Sequence, residues 1–170
     1  MTTRHVLVDT PLGPITIVGE DDVVTGLYFR HHIRRPDASM LGPAVARSDD
    51  GLLDVAAEQV LDYLTGARRG FDLPVRAGGD PFQQAVWRHV LEIPFGETTT
   101  YGRIAEHLGD RSLAQKVGQA VGANPLCVMV PCHRVVASNG ALTGYAGGLK
   151  RKRALLDLEL PEPAISGRLF

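Results

Sequence analysis

The sequence has few of the features that mark several common classes of protein. Only two of its 170 residues are cysteine, which is too few for a disulfide framework. It has 18 basic and 19 acidic residues, and this near balance argues against a protein that coats nucleic acid unspecifically. It also has no long apolar run and no N-terminal signal pattern. We therefore expect a cytoplasmic protein with reduced thiols and no membrane partner.

The residues that usually bind metals are also scarce. Cys127 and Cys132 have four residues between them, but they lie in an apolar, strand-like run that makes a poor zinc pair. The first half of the chain has no cysteine, and His31 and His32 are only a pair in a predicted loop. We therefore predict no metal and no cofactor.

Charge divides the chain near residue 79. Acidic clusters at 20–22 and 49–50 precede this point, whereas the basic run 150–153 follows it. Any contact with nucleic acid is therefore expected in the second part. The predicted units are an N-terminal α/β domain at 1–78, a second domain at 79–160 and a mobile, proline-rich tail at 161–170.

The first domain has the pattern of a small sheet with one helix. A rigid turn at 11–14 separates the first two apolar runs, which predicts a hairpin. Residues 31–50 contain proline, glycine and charge without periodicity and are predicted to be loop. The predicted elements are strands at 6–10, 15–18, 23–29 and 71–75, and a helix at 52–64. No catalytic residue is predicted in this domain.

The second domain opens with a helix-start signal. Asp80 and Gln83 have the spacing of a capping box, with Pro81 at the first helical position. The predicted helix ends before Pro94, because proline cannot continue it.

Two shorter helices then follow, separated by a tight turn at Gly109. Ser112 and Gln115 predict a second capping box, which would start a helix that runs to about Gly122. Helices joined in this way predict a helix-turn-helix, although an ordinary surface helix would have the same pattern. The outward face of the second helix is small, as close approach to another surface requires, and consists of Gln115, Lys116, Gly118, Gln119 and Gly122.

The run from Val130 to Val135 is the main indication of chemistry. It places the thiol of Cys132 beside the imidazole of His133, at a turn fixed by Pro131. A neighbouring base or positive charge lowers the pKa of a thiol and produces the nucleophilic thiolate, and Arg134 adds positive charge nearby. A buried structural cysteine between two strands fits the same pair of residues, so the pair alone leaves both interpretations open.

From Asp80 to about Glu159 the sequence resembles the O6-alkylguanine-DNA alkyltransferases, also called methylated-DNA-protein-cysteine methyltransferases. The first domain resembles them more weakly, through residues 9–14 and the order of its elements. The matching stretches of the second domain are 82–87, 93–102, 117–120, 124–125, 131–135 and 144–148.

The resemblance implies an α/β protein in which a small sheet-plus-helix domain precedes a mostly helical domain with a helix-turn-helix. It also implies a monomeric suicide repair protein whose partner is double-stranded DNA containing alkylated guanine. Such a protein binds the minor groove, flips out the damaged base and transfers the alkyl group irreversibly to its own cysteine. O4-alkylthymine is expected as a second substrate.

The resemblance also implies roles for individual residues. Cys132 matches the acceptor, His133 the base that acts on the thiol through a water, and Glu159 the acid that orients the imidazole. Asn124 matches a residue that braces the active-site turn, and Tyr101 one that helps to protonate the departing guanine. Sulfur suits an attack on an alkyl carbon, and a phenol suits a leaving group that develops negative charge.

Two further sets of residues follow from the same match. The loop at 144–148 is rich in glycine and is expected to close over a flat base. The residues expected to contact DNA are Thr100, Gln115, Lys116, Gly118, Gln119 and Arg134. The residues expected to bind the substrate base are Val135, Ser138, Tyr145, Ala146 and Gly147.

Two positions depart from the family pattern. Gln115 stands where the family usually has an arginine finger that fills the gap left by the flipped base, and glutamine lacks the charge and stacking plane of arginine. Arg111, in the preceding turn, is the first alternative for that task. Leu160 stands where a glycine usually follows the conserved acid.

Three other functions are weighed against repair. A module that recognises alkylated guanine without accepting the group would lack the acceptor, but Cys132 is present. A transferase for a substrate other than duplex DNA is favoured by the departure at Gln115. A cysteine-histidine hydrolase would need an oxyanion site, and the sequence suggests none.

Overall fold

The computed structural model describes residues 2–30 and 36–160. The predicted mobile tail at 161–170 and the pair His31-His32 lie outside the described residues. The strands are β1 (Thr3–Val8), β2 (Ile15–Glu20), β3 (Val23–Phe29), β4 (Thr99–Thr100) and β5 (Val135–Val136). The helices are α1 (Gly51–Leu64), α2 (Pro81–Leu91), α3 (Tyr101–His107), α4 (Ala114–Gly122) and α5 (Leu149–Glu159).

The first domain is an antiparallel sheet, ordered β1-β2-β3, with α1 packed against it. Asp50 caps α1, because its side chain accepts a hydrogen bond of 3.1 Å from the backbone nitrogen of Leu53. The inward face of α1 is fully buried at Leu53, Ala56, Ala57 and Val60. The predicted α/β class, hairpin and helix are thus confirmed.

Two predictions for the first domain are wrong in detail. Residues 71–75 form no strand, and only Val75 makes an isolated bridge, with Val24. Pro74 lacks the N–H group that a strand uses for pairing, which explains why the ladder does not extend. The predicted loop contains two short 3₁₀ turns, Ala38–Met40 and Arg47–Asp49.

The second domain begins as predicted. The side chain of Asp80 accepts a hydrogen bond of 2.8 Å from the backbone nitrogen of Gln83, whose side chain accepts one of 3.0 Å in return. Trp87 then joins α2 to α4, since its indole nitrogen donates to the carbonyl oxygen of Ala120 at 2.9 Å. The predicted helix-turn-helix is formed by α3 and α4, which pack against each other.

The predicted capping box at Ser112 and Gln115 is wrong. Asp110 caps this segment instead, accepting hydrogen bonds from the backbone nitrogen and the hydroxyl of Ser112 at 2.9 and 2.7 Å. A 3₁₀ turn, Arg111–Leu113, follows the cap, and α4 begins at Ala114 without a side-chain cap. Gln115 is therefore exposed and has no part in capping.

The two domains share one apolar core. The backbone nitrogen of Leu27, in β3, donates to the carbonyl oxygen of Pro125 at 2.8 Å, and Leu27 and Leu126 form an isolated bridge. Cys132 belongs to the same buried cluster as these leucines. Within the described residues, no helix combines the length and the apolar character needed to cross a membrane.

Candidate active site

Two very short strands bring the predicted catalytic residues together. Strands β4 and β5 pair in parallel, with Thr99 opposite Val135 and Thr100 opposite Val136. Because α3 starts at Tyr101, directly after β4, and Cys132 lies three residues before β5, the phenol lies near the thiol. Burial raises the pKa of Tyr101, and its electrostatic interaction with Cys132 raises it further.

Asn124 holds the turn that precedes the cysteine. Its side-chain oxygen accepts a hydrogen bond of 2.9 Å from the backbone nitrogen of Leu126, and its amide group donates to the carbonyl oxygen of Val130 at 3.0 Å. The nitrogen of Cys132 donates to the same carbonyl oxygen at 2.7 Å. Within this turn Val128 has a φ of 73°, a costly conformation for a β-branched residue. The surrounding contacts therefore fix the position of the thiol.

Glu159 is the centre of a buried hydrogen-bond network. Its Oε2 atom lies 2.7 Å from Nε2 of His133 and also accepts a hydrogen bond from the Tyr63 hydroxyl. Arg134 donates to Oε1 from Nε at 2.8 Å and to Oε2 from Nη2 at 2.9 Å, and the backbone nitrogen of Gly96 donates to Oε1 at 3.2 Å. Both carboxylate oxygens are thus used, as a buried charge requires.

This network determines which nitrogen of His133 carries the proton. Burial alone would raise the pKa of Glu159, but the hydrogen bonds from His133 and Arg134 outweigh burial and lower it to about 2. An ionised carboxylate only accepts, so Nε2 must donate and carries the proton. Burial lowers the pKa of His133, so its ring is neutral and Nδ1 has the free lone pair. Nδ1 is buried and accepts from no side chain or backbone group of the described residues.

The thiol of Cys132 is protonated in the resting protein. Burial raises its pKa strongly, and Cys127 adds to this, while a hydrogen bond from Asn124 and the charge of Lys152 act in the opposite direction. The expectation that Arg134 would supply the nearby positive charge is wrong, since Lys152 does so. The proton must therefore leave Cys132 during the reaction rather than before it.

Arg134 does not fit its expected contact with DNA. Its side chain is buried, is paired with Glu159, and donates from Nη1 to the carbonyl oxygen of Ile93 at 2.7 Å. A carboxylate in the core needs a compensating charge, and Arg134 supplies it. Its guanidinium group is therefore directed away from the surface that would meet DNA.

Lys152 belongs to the site, although the sequence pattern did not predict it. Its side chain is completely buried, and Nζ donates to the carbonyl oxygens of Val135 and Thr143 at 2.6 and 2.7 Å. Burial lowers the pKa of Lys152 to about 8. The Tyr101 hydroxyl donates to the same carbonyl oxygen of Thr143 at 2.9 Å. In the sequence Lys152 is one of four consecutive basic residues, and only the packing of its helix in the structure shows that it faces inward.

The expected substrate-binding loop lies beside this lysine. Val135, Tyr145 and Ala146 are buried, whereas Ser138 is exposed. Gly147 packs so closely that an added Cβ would lie 2.6 Å from the ring of Phe29. The loop is thus attached to the first domain at Gly147 and open to solvent at Ser138.

An open cleft of about 520 Å³ lies between this loop and the helix-turn-helix. Its lining includes Tyr101, Arg111, Gln115, Gly118, Ser138 and Gly144. The guanidinium group of Arg111 pairs with Glu106 and lies near Gly102. The cleft is therefore bordered by the two residues considered for the base-flipping task.

The other residues expected to contact DNA lie on α4, except for Thr100, which lies at the start of α3. Gln119 is exposed, and an added Cβ at Gly118 would lie 3.7 Å from the ring of Tyr101. Lys116 places Nζ 4.3 Å from the centre of the Phe82 ring. The Thr100 hydroxyl caps α3 by accepting from the backbone nitrogen of Arg103 at 3.1 Å. Among the described residues, no group of three or more potential ligands could hold a metal ion.

The fold and sequence match known proteins along most of the chain. Residues 3–77 match the ribonuclease-like domain of 6-O-methylguanine DNA methyltransferase, and residues 81–160 match its DNA binding domain. A methylated-DNA–protein-cysteine methyltransferase of Mycobacterium tuberculosis is 42% identical over 152 residues, 89% of each chain. Another, of Methanosarcina acetivorans, is 37% identical over 91% of this chain and 97% of its own.

A solved structure shows the same arrangement. The crystal structure of Mycobacterium tuberculosis OGT in complex with DNA matches with a TM-score of 0.83 and 41% identity, over 94% of this chain and 93% of that one. Both domains and their order are therefore shared. The chain belongs to the 6-O-methylguanine DNA methyltransferase family.

Proposed function

We propose that this chain repairs DNA by transferring the alkyl group from O6 of an alkylated guanine to its own Cys132. The main support is that Cys132 lies next to His133, whose Nε2 atom is paired with the ionised Glu159. This pairing leaves Nδ1 of His133 free to act as a base. The relatives named above are methylated-DNA–protein-cysteine methyltransferases, and one solved structure contains DNA.

The transfer is a single displacement at the alkyl carbon. The Sγ atom of Cys132 forms a bond to this carbon as the bond from carbon to O6 breaks, and the electron pair stays on the guanine. The thiol proton passes to Nδ1 of His133, through a water, because the pKa of the thiol is raised by burial and no thiolate exists beforehand. Glu159 stays ionised and stabilises the imidazolium that forms.

The departing guanine needs a proton or a hydrogen bond as it becomes negative. Tyr101 lies in the cleft and has a hydroxyl that can turn from the carbonyl oxygen of Thr143 to the base. The product contains a thioether at Cys132, which no residue of the site can reverse. Each protein molecule therefore acts once.

The target base must leave the duplex to reach the buried thiol, at a cost of a few kcal/mol. The helix-turn-helix would bind the DNA through the outward face of α4, and the cleft of about 520 Å³ beside it would receive the base. Because the substrate is DNA and the acceptor must stay a free thiol, we propose the cytoplasm as the site of action.

The test is a stoichiometric repair assay on a duplex with one O6-methylguanine. With the duplex in excess, the protein should convert one O6-methylguanine to guanine per molecule and then stop. Cys132→Ala should convert none but still bind the duplex, whereas Cys127→Ala should act almost normally, because Cys127 lies in an apolar run with no base beside it in the chain. Binding by the unaltered protein without conversion would instead indicate a recognition module, and neither binding nor conversion would indicate another substrate.

A further inference from the structure

Tyr63 is a buried residue of the first domain that reaches into the network around Glu159. It lies in the last turn of α1 and is 1% exposed. Its ring lies 5.4 Å from that of Phe71 and 6.1 Å from that of Phe95, measured between ring centres. Packing on two sides therefore fixes the direction of its hydroxyl.

That hydroxyl touches two members of the network. It donates its proton to Oε2 of Glu159, the same oxygen that pairs with Nε2 of His133. Its oxygen lies 3.3 Å from Nε2, so the N–H group of His133 is shared between the carboxylate and the phenol. Burial raises the pKa of Tyr63 far above its usual value, and Glu159 raises it further, so the phenol stays a donor.

We propose that Tyr63 is a positioning residue for the alkyl transfer, which sets the orientation and basicity of His133 by sharing Glu159 Oε2 with it. This inference rests on the proposed function. It implies that the first domain contributes to the chemistry of the second, through a buried residue near the end of α1.

The direction of the effect follows from the charges around His133. The ionisable groups that face its ring or affect its charge are Glu159, Arg134, Lys152, Tyr63, Tyr145 and the adjacent Cys132. Without the Tyr63 hydroxyl, Oε2 loses a donor and keeps more of its negative charge for His133. The pKa of His133 then rises, because a nearby negative charge favours the imidazolium.

The variant to measure is Tyr63→Phe, which keeps the ring and its packing. The matched control is Phe71→Leu, which alters the packing of Tyr63 but keeps the hydroxyl. Transfer from the free base O6-benzylguanine, which needs no DNA binding, is followed from pH 6 to pH 9. Tyr63→Phe should be slower than the unaltered protein by about fivefold or more at the acidic end, with a smaller deficit at the alkaline end. Any loss of rate in Phe71→Leu should be the same at every pH from 6 to 9.

Long-range proton–nitrogen NMR of His133 gives a second measurement that needs no activity. The expected result is a higher pKa for His133 in Tyr63→Phe and no change in Phe71→Leu. Identical pH profiles and identical titration of His133 in Tyr63→Phe and the unaltered protein would overturn the inference. If the unaltered protein itself transfers no alkyl group, the proposed function fails instead, and the NMR titration still decides the role of Tyr63.

Discussion

The group around Cys132 and the outward face of α4 have opposite physical character. Glu159 is buried and accepts hydrogen bonds from three side chains and one backbone nitrogen, so its position is fixed from several sides. Gln115 and Gln119 are exposed and uncharged, on a helix that has no side-chain cap. The side chains of the first region are held in one arrangement by their hydrogen bonds. Those of the second are solvated and make their contacts only when DNA binds.

This difference indicates where changes should have large effects. In the buried network each donor or acceptor depends on the others, so the loss of one leaves its partner unsatisfied inside the protein. On the exposed face a changed side chain is solvated, so its effect is limited to DNA binding and base flipping. Changes at three places test this contrast, and the buried network should respond most strongly.

The largest effect is expected at His133 and Glu159, which should act as one unit. His133→Gln and Glu159→Gln should each slow transfer from O6-benzylguanine at least about 100-fold, because each removes the base or its orientation. The double variant should be little slower than the slower single variant. Glu97→Gln, an exposed change of the same kind, serves as the control and should have no effect. Losses that multiply in the double variant would show that the two residues act independently.

A smaller effect, with a pH dependence, is expected at Lys152. Lys152→Met removes the donor to the carbonyl oxygens of Val135 and Thr143 and the positive charge near Cys132, so transfer at pH 7 should fall by about tenfold or more. Because the pKa of Lys152 is about 8, the ammonium charge is present below that pH and lost above it. The deficit relative to the unaltered protein should therefore shrink as the pH rises through 8.

The control for this prediction is Lys150→Met, since Lys150 lies on the same helix but is exposed. It should transfer at the normal rate at every pH. A deficit in Lys152→Met that stays constant from pH 6 to pH 9 would mean that the charge of Lys152 has no part in the reaction.

The smallest effect is expected on the exposed face. Gln115→Arg adds a cationic plane at the edge of the cleft, and stacking of this kind is worth about 1–3 kcal/mol per base. Repair of O6-methylguanine in a duplex should become faster by roughly fivefold, with little change for free O6-benzylguanine, which needs no flipping. Helix α4 should lose no capping contact, because it has no side-chain cap and the 3₁₀ turn before it is capped by Asp110.

Gln119→Arg adds the same charge one turn further along α4 and is the matched control. It should strengthen DNA binding without altering the ratio of duplex rate to free-base rate. If Gln115→Arg also leaves this ratio unchanged, another residue assists base flipping, and Arg111 in the same cleft would be the next to replace.

The sequence predicted well what depends on neighbouring residues. The capping box at Asp80 and the apolar spacing of α1 are local patterns, and both appear in the structure. Ser112 and Gln115 have an equally good capping pattern, but the side chain of Asp110 accepts from the backbone nitrogen of Ser112, which the side chain of Gln115 would bind in the predicted box. A local rule thus fails where two candidates lie side by side.

Contacts between distant segments could not be predicted in this way. Helix α5 begins at Leu149, after Gly148, which has no side chain to cap it. The residues that it buries include Lys152 and Glu159, so its inward face lacks the apolar spacing that marks a helix. Tyr63 is 96 residues from Glu159 in the chain and looks like an ordinary core position. A charged side chain that faces the core can be recognised only once the structure shows the distant residue with which it pairs.

Locating the transferred group shows which residue is the acceptor. The unaltered protein is incubated with a duplex containing O6-methylguanine, digested, and its peptides are analysed by mass spectrometry. We expect a single methyl group on Cys132, unmodified Cys127 and guanine restored in the DNA. A methyl group on Cys127, or on any other residue while Cys132 stays free, would show that Cys132 is not the acceptor.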